Sequence, residues 1–328
     1  HAHLTLGDKP FMGAVTSAER AEDTVEMARI VFGRNFVEQN CCVYSVINPN
    51  APLVLDTTMV AALKVYARSN QAVAVSSFSL HGAMSPITVA GTLAQLLAEV
   101  LAGLSLVQLI RPGAPCTFGM FSSPVCMQTG APTLSTPEGM QVQMAAAALA
   151  RRLGVPFHST GAATTAKVPD SQAGYESAAQ LFCALMAGVN FIIHATGSLE
   201  GFMAVSYEKT VIDADRCGAL IKFAEGFDLS EQSQALSAIG EVGPGEHFLG
   251  AAHTQALFET ANYRARLSDN NTFEKWSTDG AKWQHERANQ RFKHLLKTYQ
   301  PPPMSADIRD GLEAYRSTRL ERIRKNGK

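Results

Sequence analysis

His194 is the residue whose position most directly suggests chemistry. It ends the short apolar run Asn190–His194, and Thr196 and Gly197 follow at once. An imidazole at the end of a strand can serve as general acid, general base or hydrogen-bond donor, and a buried structural histidine is the alternative. Glu200, on the same loop, can neutralise a cation or be an ordinary loop carboxylate. We predict His194 and Glu200 as catalytic residues.

Two further histidines allow a metal-site hypothesis. His81 and His158 each follow or end a predicted strand, so with His194 they could surround one zinc ion, for which imidazole is a common ligand. Separate histidines bonded to neighbouring loops explain the same pattern. The sequence has no Walker loop, HExxH, GxSxG or paired CxxC motif. We favour separate histidines and predict no metal site.

Aromatic and polar side chains at other strand ends suggest a cation-binding site. Phe78 and Phe121 can stack on a quaternary ammonium, because aromatic faces attract cations that cannot form hydrogen bonds. Core packing is the alternative for both. Asn48 follows the run Cys42–Ile47, and we predict that it contacts the same substrate. Lys167, on a long loop, can meet an anionic group or simply remain in solvent.

These residues need strands and helices to position them, and the chain supplies both in alternation. Each strand-like run is followed by a helix-like segment, and 30 to 44 residues separate successive starts, as βα units require. In α/β folds, side chains after the strands meet at one edge of the sheet. The runs start near Pro10, Cys42, Ala72, Cys116, Pro156 and Asn190. Predicted helix starts are Thr16 with Glu19, Asp56, Ser85-Pro86, Thr136-Pro137 and Asp170.

Six βα units predict an α/β protein of the (β/α)8 TIM-barrel type. The turn that begins at Gly13 lacks the glycine-rich pattern of a doubly wound nucleotide fold. A closed barrel needs eight strands, so we expect the missing strands upstream of His1, in a chain that is a fragment or has been processed. We assign residues 1–228 to the βα-barrel portion and 229–328 to a C-terminal helical extension.

The amino-acid composition excludes some classes of binding partner for this chain. The chain has 328 residues, 46% of them hydrophobic and 17% charged, with a net charge of -1. This balance argues against nucleic-acid and polybasic membrane surfaces. The six cysteines form no CxxC pair, which favours reduced thiols in the cytoplasm. The apolar segment Ile87–Ile110 contains Glu99 and a one-sided leucine stripe, so we predict a buried helix rather than a membrane span.

Several segments, in the same order along the chain, resemble the trimethylamine methyltransferase family, which includes glycine betaine:corrinoid methyltransferases. The similarity extends over nearly the whole chain. The segments that carry it are Asp8–Gly13, Arg20–Thr24, Ala90–Gln95, Arg111–Pro115, Lys167–Glu176, His194-Ala195, Leu199–Gly201, Ser206–Lys209 and Glu241–Gly250.

The resemblance implies a (β/α)8 barrel whose mouth receives a small methylated amine. It also implies a separate corrinoid protein whose Co(I) attacks the N-methyl carbon and leaves a demethylated amine. The resemblance implies that His194 corresponds to the family histidine that faces the cobalamin, and it assigns no other residue. From their places on the loops we further predict His81, Gly161 and Lys167 as cofactor contacts. Members acting on trimethylamine carry pyrrolysine, which should fall near the Gly161–Lys167 loop and is absent here. A quaternary, betaine-like substrate is therefore favoured.

Two other functions stay open at this point. One is a barrel lyase or metal-dependent hydrolase acting on a small cation. The other is a non-catalytic module that binds betaine or a corrinoid partner. A homo-oligomer is a further expectation.

Overall fold

The structure is a computed structural model, and residues 1–325 of it are described. Residues 326–328, the end of the predicted helical extension, lie outside the described part. Six parallel strands form the main sheet in the sequential order β1 to β6. A short antiparallel pair, β7 and β8, follows. The strands are β1 (Phe11–Met12), β2 (Val43–Ile47), β3 (Ala72–His81), β4 (Cys116–Pro124), β5 (Phe157–Thr160), β6 (Phe191–Ile193), β7 (Ser198–Leu199) and β8 (Ala204–Val205).

Helices connect the strands of the main sheet and continue beyond it. Those of the sheet portion are α1 (Ala2–Thr5), α2 (Ala18–Phe32), α3 (Arg34–Gln39), α4 (Thr57–Arg68), α5 (Val89–Ile110), α6 (Pro137–Leu153), α7 (Ser171–Ala187) and α8 (Tyr207–Ala224). The helices that follow are α9 (Glu231–Gln234), α10 (Leu236–Val242), α11 (Ala252–Leu257), α12 (Phe273–Thr278), α13 (Gln284–Thr298) and α14 (Ala306–Lys325). All six predicted strand starts are confirmed to within one residue.

The sheet curls into a half-barrel. Tyr44 on β2 and Phe191 on β6 have ring centroids only 4.5 Å apart. In a flat sheet these strands would be four spacings apart, roughly 19 Å. The concave face therefore closes on itself as the inside of a barrel does. The α/β class and the curled parallel sheet are confirmed, and the two further strands of a closed (β/α)8 barrel stay a prediction.

The convex face of the sheet carries the main hydrophobic core. Large apolar side chains alternate along β3, β4 and β5 and are buried beneath the surrounding helices, as side-chain alternation in a strand requires. Gly103 of α5 lies so close to β3 that an added Cβ would come within 2.5 Å of the Val75 side chain. The convex residues include Val73, Val75, Phe118, Met120 and Phe157, each at most 1% exposed.

Within the described residues, α5 is the one helix long and apolar enough to cross a membrane by length and composition. It packs against β3 and β4. Glu99, in its middle, is buried and accepts a hydrogen bond from the Leu53 amide at 2.9 Å and another from the Ser77 hydroxyl. A carboxylate bonded to the sheet in this way fits the predicted packed helix.

Three of the five predicted helix starts, at Asp56, Thr136 and Asp170, are confirmed. Asp56 and Asp170 accept hydrogen bonds from the amides of Met59 and Ala173, which satisfies donors of the first turn. The predicted Thr16–Glu19 capping box is wrong, because α2 begins one residue later with Ser17 as its cap.

The predicted start of α5 at Ser85-Pro86 is also wrong. Thr88 caps this helix, and its side chain accepts a hydrogen bond from the Gly91 amide. The Ser85 hydroxyl bonds instead to Ser79 and Thr92, each at 2.9 Å. The Ser85 hydroxyl is therefore engaged with other side chains and does not form the helix cap that the local sequence pattern predicts.

The C-terminal helices fold back on the sheet portion. α13 packs on α8, and α14 packs on α2. Arg319 and Tyr315 of α14 contact the Asp23 carboxylate of α2 at 2.6 and 2.7 Å. The predicted short helix through Leu236 is confirmed as α10. The division at residue 228 into barrel portion and extension stays a prediction.

Candidate functional site

A cavity of about 320 Å³ lies on the concave face, at the carboxyl ends of the parallel strands. This edge is where α/β proteins place their ligands, because the loops there can vary while the strands hold them. Among the described residues, the lining contains no Asp, Glu, Lys or Arg. The lining residues are Met12, Val46, Asn48, Ser76, Phe78, Phe121, His158, Ser159, Thr160, Ile193, His194 and Phe202.

One wall of the cavity is aromatic. The Phe78 and Phe121 rings stack with centroids 5.3 Å apart, and Phe202 meets Phe121 edge to face at 5.9 Å. The His194 ring lies 4.5 Å from the Phe202 ring. Four rings from three strand ends and one loop therefore face a common space. Such a surface attracts a cation through the negative faces of its rings.

The loop that supplies part of this wall has a strained backbone. His194, Glu200 and Phe202 all have positive φ, at 52°, 49° and 75°. This left-handed region is uncommon for residues other than glycine and costs on the order of 1 kcal/mol or more at each position. Hydrogen bonds from the Glu200 and Gly201 amides to loop carbonyls, both at 2.9 Å, hold the turn. Strain of this kind concentrates at functional sites.

His158 lies at the polar floor of the cavity, and Tyr44 and Thr117, which are not part of the lining, lie behind it. The Tyr44 hydroxyl lies 2.7 Å from Thr117 Oγ1 and 3.0 Å from His158 Nδ1. Burial raises the pKa of Tyr44 to about 12. Burial of the ring, and to a smaller extent the nearby His194, lowers the pKa of His158 to about 4. Both groups are therefore uncharged at neutral pH.

His194 occupies the rim between the cavity and solvent. Its ring is partly exposed, and Nδ1 lies 3.4 Å from Thr160 Oγ1. Burial of the rest of the ring lowers the pKa of His194, so the imidazole is neutral at neutral pH. The exposed edge is accessible to a partner that approaches the mouth of the cavity.

A buried ion pair fixes the loops behind this wall. Lys209 Nζ of α8 lies 2.5 Å from Asp213 Oδ2 and donates to the Ala162 carbonyl at 3.1 Å. Asp213 also accepts the Gly197 amide at 3.0 Å. Burial lowers the pKa of Lys209, and the adjacent Asp213 carboxylate opposes that shift. One pair thus joins the loop after β5 to the loop after β6.

The structure brings four of the predicted site residues together: His194, Phe78, Phe121 and Asn48 all line the cavity. Glu200 lies beside it, exposed, on the turn that carries Phe202. Their predicted roles in catalysis and substrate binding remain predictions.

The three predicted cofactor contacts do not line the cavity. Lys167 is exposed and donates to the Thr165 carbonyl at 2.8 Å. Gly161 is packed so tightly that an added Cβ would lie 2.7 Å from Ile192 and 2.9 Å from Leu181. The structure therefore shows a packing reason for a glycine at position 161.

His81, the third of these contacts, lies on the other side of the sheet from His158 and His194. It is three residues beyond Phe78 on the same strand, so alternation points its side chain toward the helices. Burial lowers the pKa of His81, and Glu138 of α6 opposes the shift. Across residues 1–325, no group of three His, Cys, Asp or Glu side chains is arranged to hold a metal ion. The three-histidine hypothesis is therefore not supported.

A second cavity, of about 430 Å³, lies where α8 faces the C-terminal helices. Arg264, Arg266 and Arg291 line it together with Asp215. The Asp215 carboxylate already accepts the backbone amides of Arg266 and Leu267, at 2.8 and 3.1 Å. This carboxylate organises the segment around it, and the cavity is away from the strand ends.

Sequence reasoning missed Phe202, Tyr44 and Lys209. Phe202 follows no strand of the main sheet, and its position depends on the strained turn. Tyr44 is the third residue of the predicted strand Cys42–Ile47, where alternation could have assigned it to the concave face. Lys209 and Asp213 have the i, i+4 spacing of a helical ion pair, and nothing in that spacing indicates burial.

A family model and individual relatives of known name match this chain, and both point to the same family. A family model described as trimethylamine methyltransferase (MTTB) matches residues 1–323. The chain is 39% identical over 324 residues to the glycine betaine methyltransferase of Desulfitobacterium hafniense, covering 98% of this chain and 67% of that protein. It is 34% identical over 266 residues to trimethylamine methyltransferases of Methanosarcina mazei and Methanosarcina barkeri, covering 81% of this chain and 53% of each relative. It thus spans about two thirds of the first relative's length and about half of the others'.

Proposed function

The chain belongs to the trimethylamine methyltransferase family, and from that premise we propose that it takes part in methyl transfer from a quaternary, betaine-like amine to the reduced cobalt of a corrinoid. The acceptor would be cobalamin or a corrinoid protein that docks over the mouth of the half-barrel. The observation that carries the proposal is the aromatic wall of Phe78, Phe121 and Phe202 beside an uncharged cavity. A methylated ammonium with no N–H group matches that wall.

The chemistry suits a quaternary nitrogen. When the C–N bond breaks, both of its electrons return to nitrogen and leave a neutral tertiary amine, so the leaving group needs no proton. A bound corrinoid in the Co(I) state supplies the nucleophile. The chain's own tasks are to orient one N-methyl group toward the mouth and to keep water out.

His194 fits contact with the corrinoid. Its imidazole lies at the rim, is neutral, and has an exposed edge beside Thr160. A neutral ring there can donate or accept a hydrogen bond from a large partner arriving from solvent. Asn48 and the hydroxyls of Ser76 and Thr160 line the cavity within, and they supply polar contacts to the amine's substituent.

The names of the relatives support two substrates, glycine betaine and trimethylamine. A betaine is favoured because its leaving group needs no protonation and because the segment 161–167 is Gly-Ala-Ala-Thr-Thr-Ala-Lys, without pyrrolysine. A cytoplasmic enzyme fits the six unpaired cysteines.

The test is a methyl-transfer assay with the purified protein, Co(I)alamin and a substrate panel. We expect methylcobalamin to form with glycine betaine, carnitine or proline betaine, and His194→Ala to slow that transfer by about a hundredfold while the circular-dichroism spectrum is unchanged. Turnover of trimethylamine alone would contradict the substrate class. Tight betaine binding without any transfer would instead indicate a non-catalytic module.

A further inference from the structure

His158 is the most deeply buried polar group that faces the cavity. It lies on β5, is 0% exposed, and belongs to the cavity lining. Within the described part of the chain its Nε2 has no hydrogen-bond partner. A buried polar atom without a partner is costly and therefore unusual. An orphaned nitrogen at the floor of a cavity indicates a ligand that supplies the missing partner.

The other ring nitrogen is already engaged. Nδ1 lies 3.0 Å from the Tyr44 hydroxyl, which lies 2.7 Å from Thr117 Oγ1. Burial lowers the pKa of His158 to about 4, so the neutral ring carries one proton. If Thr117 donates to Tyr44 and Tyr44 donates to Nδ1, that proton is on Nε2. The chain of hydroxyls then presents a single N–H donor to the cavity.

The chemistry of the ligand decides between the two tautomers. A quaternary ammonium has no N–H, and glycine betaine offers no hydrogen-bond donor anywhere. Its only strong polar group is the carboxylate, which accepts. An Nε2 lone pair would therefore find no hydrogen-bond donor on such a ligand, while an Nε2–H could donate a hydrogen bond to the carboxylate.

Resting on the function proposed above, we propose that His158 is a substrate-binding residue that recognises the carboxylate of a betaine through its Nε2–H, with Tyr44 as the residue that sets the tautomer. The aromatic wall takes the methylated end of the same molecule. The described cavity lining has no Lys or Arg side chain, so among these residues the donor to the carboxylate is a neutral one. Substrate choice would then depend on two separate contacts.

Three small ligands separate these contacts in titration calorimetry with the purified protein. Glycine betaine has both groups, tetramethylammonium lacks the carboxylate, and 3,3-dimethylbutanoate keeps the carboxylate but lacks the positive charge. We expect wild-type protein to bind glycine betaine most tightly. His158→Phe should weaken the affinity for glycine betaine by about tenfold or more and leave the affinity for tetramethylammonium unchanged. His158→Gln, which retains an N–H donor, should recover part of the loss.

Tyr44→Phe gives an independent readout because it leaves His158 in place. Without the phenol, the Nδ1 tautomer is no longer excluded, so we expect a smaller loss for glycine betaine and, in ¹⁵N NMR, a shift of the His158 ring away from the Nε2–H form. Phe202→Leu is the matched control on the aromatic wall, and it should weaken the binding of glycine betaine and tetramethylammonium but not that of 3,3-dimethylbutanoate.

Several results would overturn the assignment. One is a His158→Phe variant that binds glycine betaine as the wild type does, or that loses both cations equally. Another is wild-type protein that does not prefer glycine betaine to tetramethylammonium. If His158→Phe does not fold, the Gln and Tyr44→Phe variants decide. Selective betaine binding without methyl transfer would refute the proposed enzyme function and leave the carboxylate contact intact.

Discussion

The two faces of one sheet differ sharply in what they are built for. The convex face presents Val75, Phe118 and Met120 to the helices, all fully buried. The concave face presents Tyr44, Thr117 and His158, linked by hydrogen bonds. Barrel interiors of this type are commonly filled by bulky branched side chains. The difference indicates that the convex face stabilises the protein, while the concave face is where we propose that a ligand binds.

The largest expected effect is a matched pair of substitutions on opposite faces of β4. Phe118→Ala should lower the free energy of unfolding by about 3–5 kcal/mol, because it leaves a cavity in the core. Phe121→Ala, on the half-buried concave side, should cost only about 1 kcal/mol but weaken glycine betaine binding. Urea unfolding and calorimetry measure the two quantities. Equal stability losses, or unchanged betaine affinity in Phe121→Ala, would remove the distinction between the faces.

The next prediction concerns the buried ion pair on α8, which holds the loops behind the cavity. Lys209→Met leaves the buried Asp213 with only the more distant Arg216, at 3.4 Å, as a charged partner, and we expect about 3 kcal/mol loss in the free energy of unfolding. Methyl transfer per folded molecule should also fall, since the pair joins the loops at Ala162 and Gly197. The control is Lys209→Met with Asp213→Leu, which should recover most of the stability. Wild-type stability in the single variant would show that the pair is not formed in solution.

A pH effect follows from His158. Its pKa falls from the ordinary histidine value of 6.5, which the unfolded chain retains, to about 4 in the folded protein. Between these values the unfolded chain binds a proton that the folded chain does not. Stability should therefore decrease as the pH falls from 7 toward 4, with about 3 kcal/mol from this residue across the whole window. Urea titrations at pH 7 and at about pH 4.5 measure the loss.

His158→Phe is the control for the pH effect, because phenylalanine cannot titrate. Its stability should fall less over the same interval than that of the wild type. Parallel stability curves for the two proteins would mean that the pKa of His158 is the same in the folded and unfolded states, in contradiction to its buried setting on the concave face.

The smallest effect concerns the edge of the aromatic wall. Phe202→Leu keeps an apolar side chain but removes the ring that meets Phe121 at 5.9 Å. We expect a three- to tenfold weaker affinity for tetramethylammonium, about 1 kcal/mol, as for a cation–π contact, with little change in unfolding free energy. Calorimetry measures the affinity. An unchanged affinity would place the ammonium elsewhere in the cavity.

The sequence could predict the strands and the edge where the site lies, for physical reasons. Runs such as Val43–Ile47 are bounded by turn residues, and the carboxyl ends of parallel strands meet in space. This is why Asn48, Phe78, Phe121 and His194 could be predicted separately and are found around one cavity.

What could not be predicted depends on tertiary contacts. Phe202 reaches the wall only because the amides of Glu200 and Gly201 bond to the Ala166 and Thr164 carbonyls. His158 was predicted to end a strand, which is wrong, because it is the second residue of β5. Its orphaned nitrogen becomes visible only once Tyr44 is placed across the curled sheet. Periodicity reports which residues share a face, and it does not report how far the sheet curls.

A crystal structure of the protein with bound glycine betaine tests the central claim most directly. We predict the trimethylammonium within about 6 Å of the ring centroids of Phe78, Phe121 and Phe202, and a carboxylate oxygen within hydrogen-bonding distance of His158 Nε2. Betaine bound outside the concave cavity, or bound with its carboxylate against the aromatic wall, would contradict it.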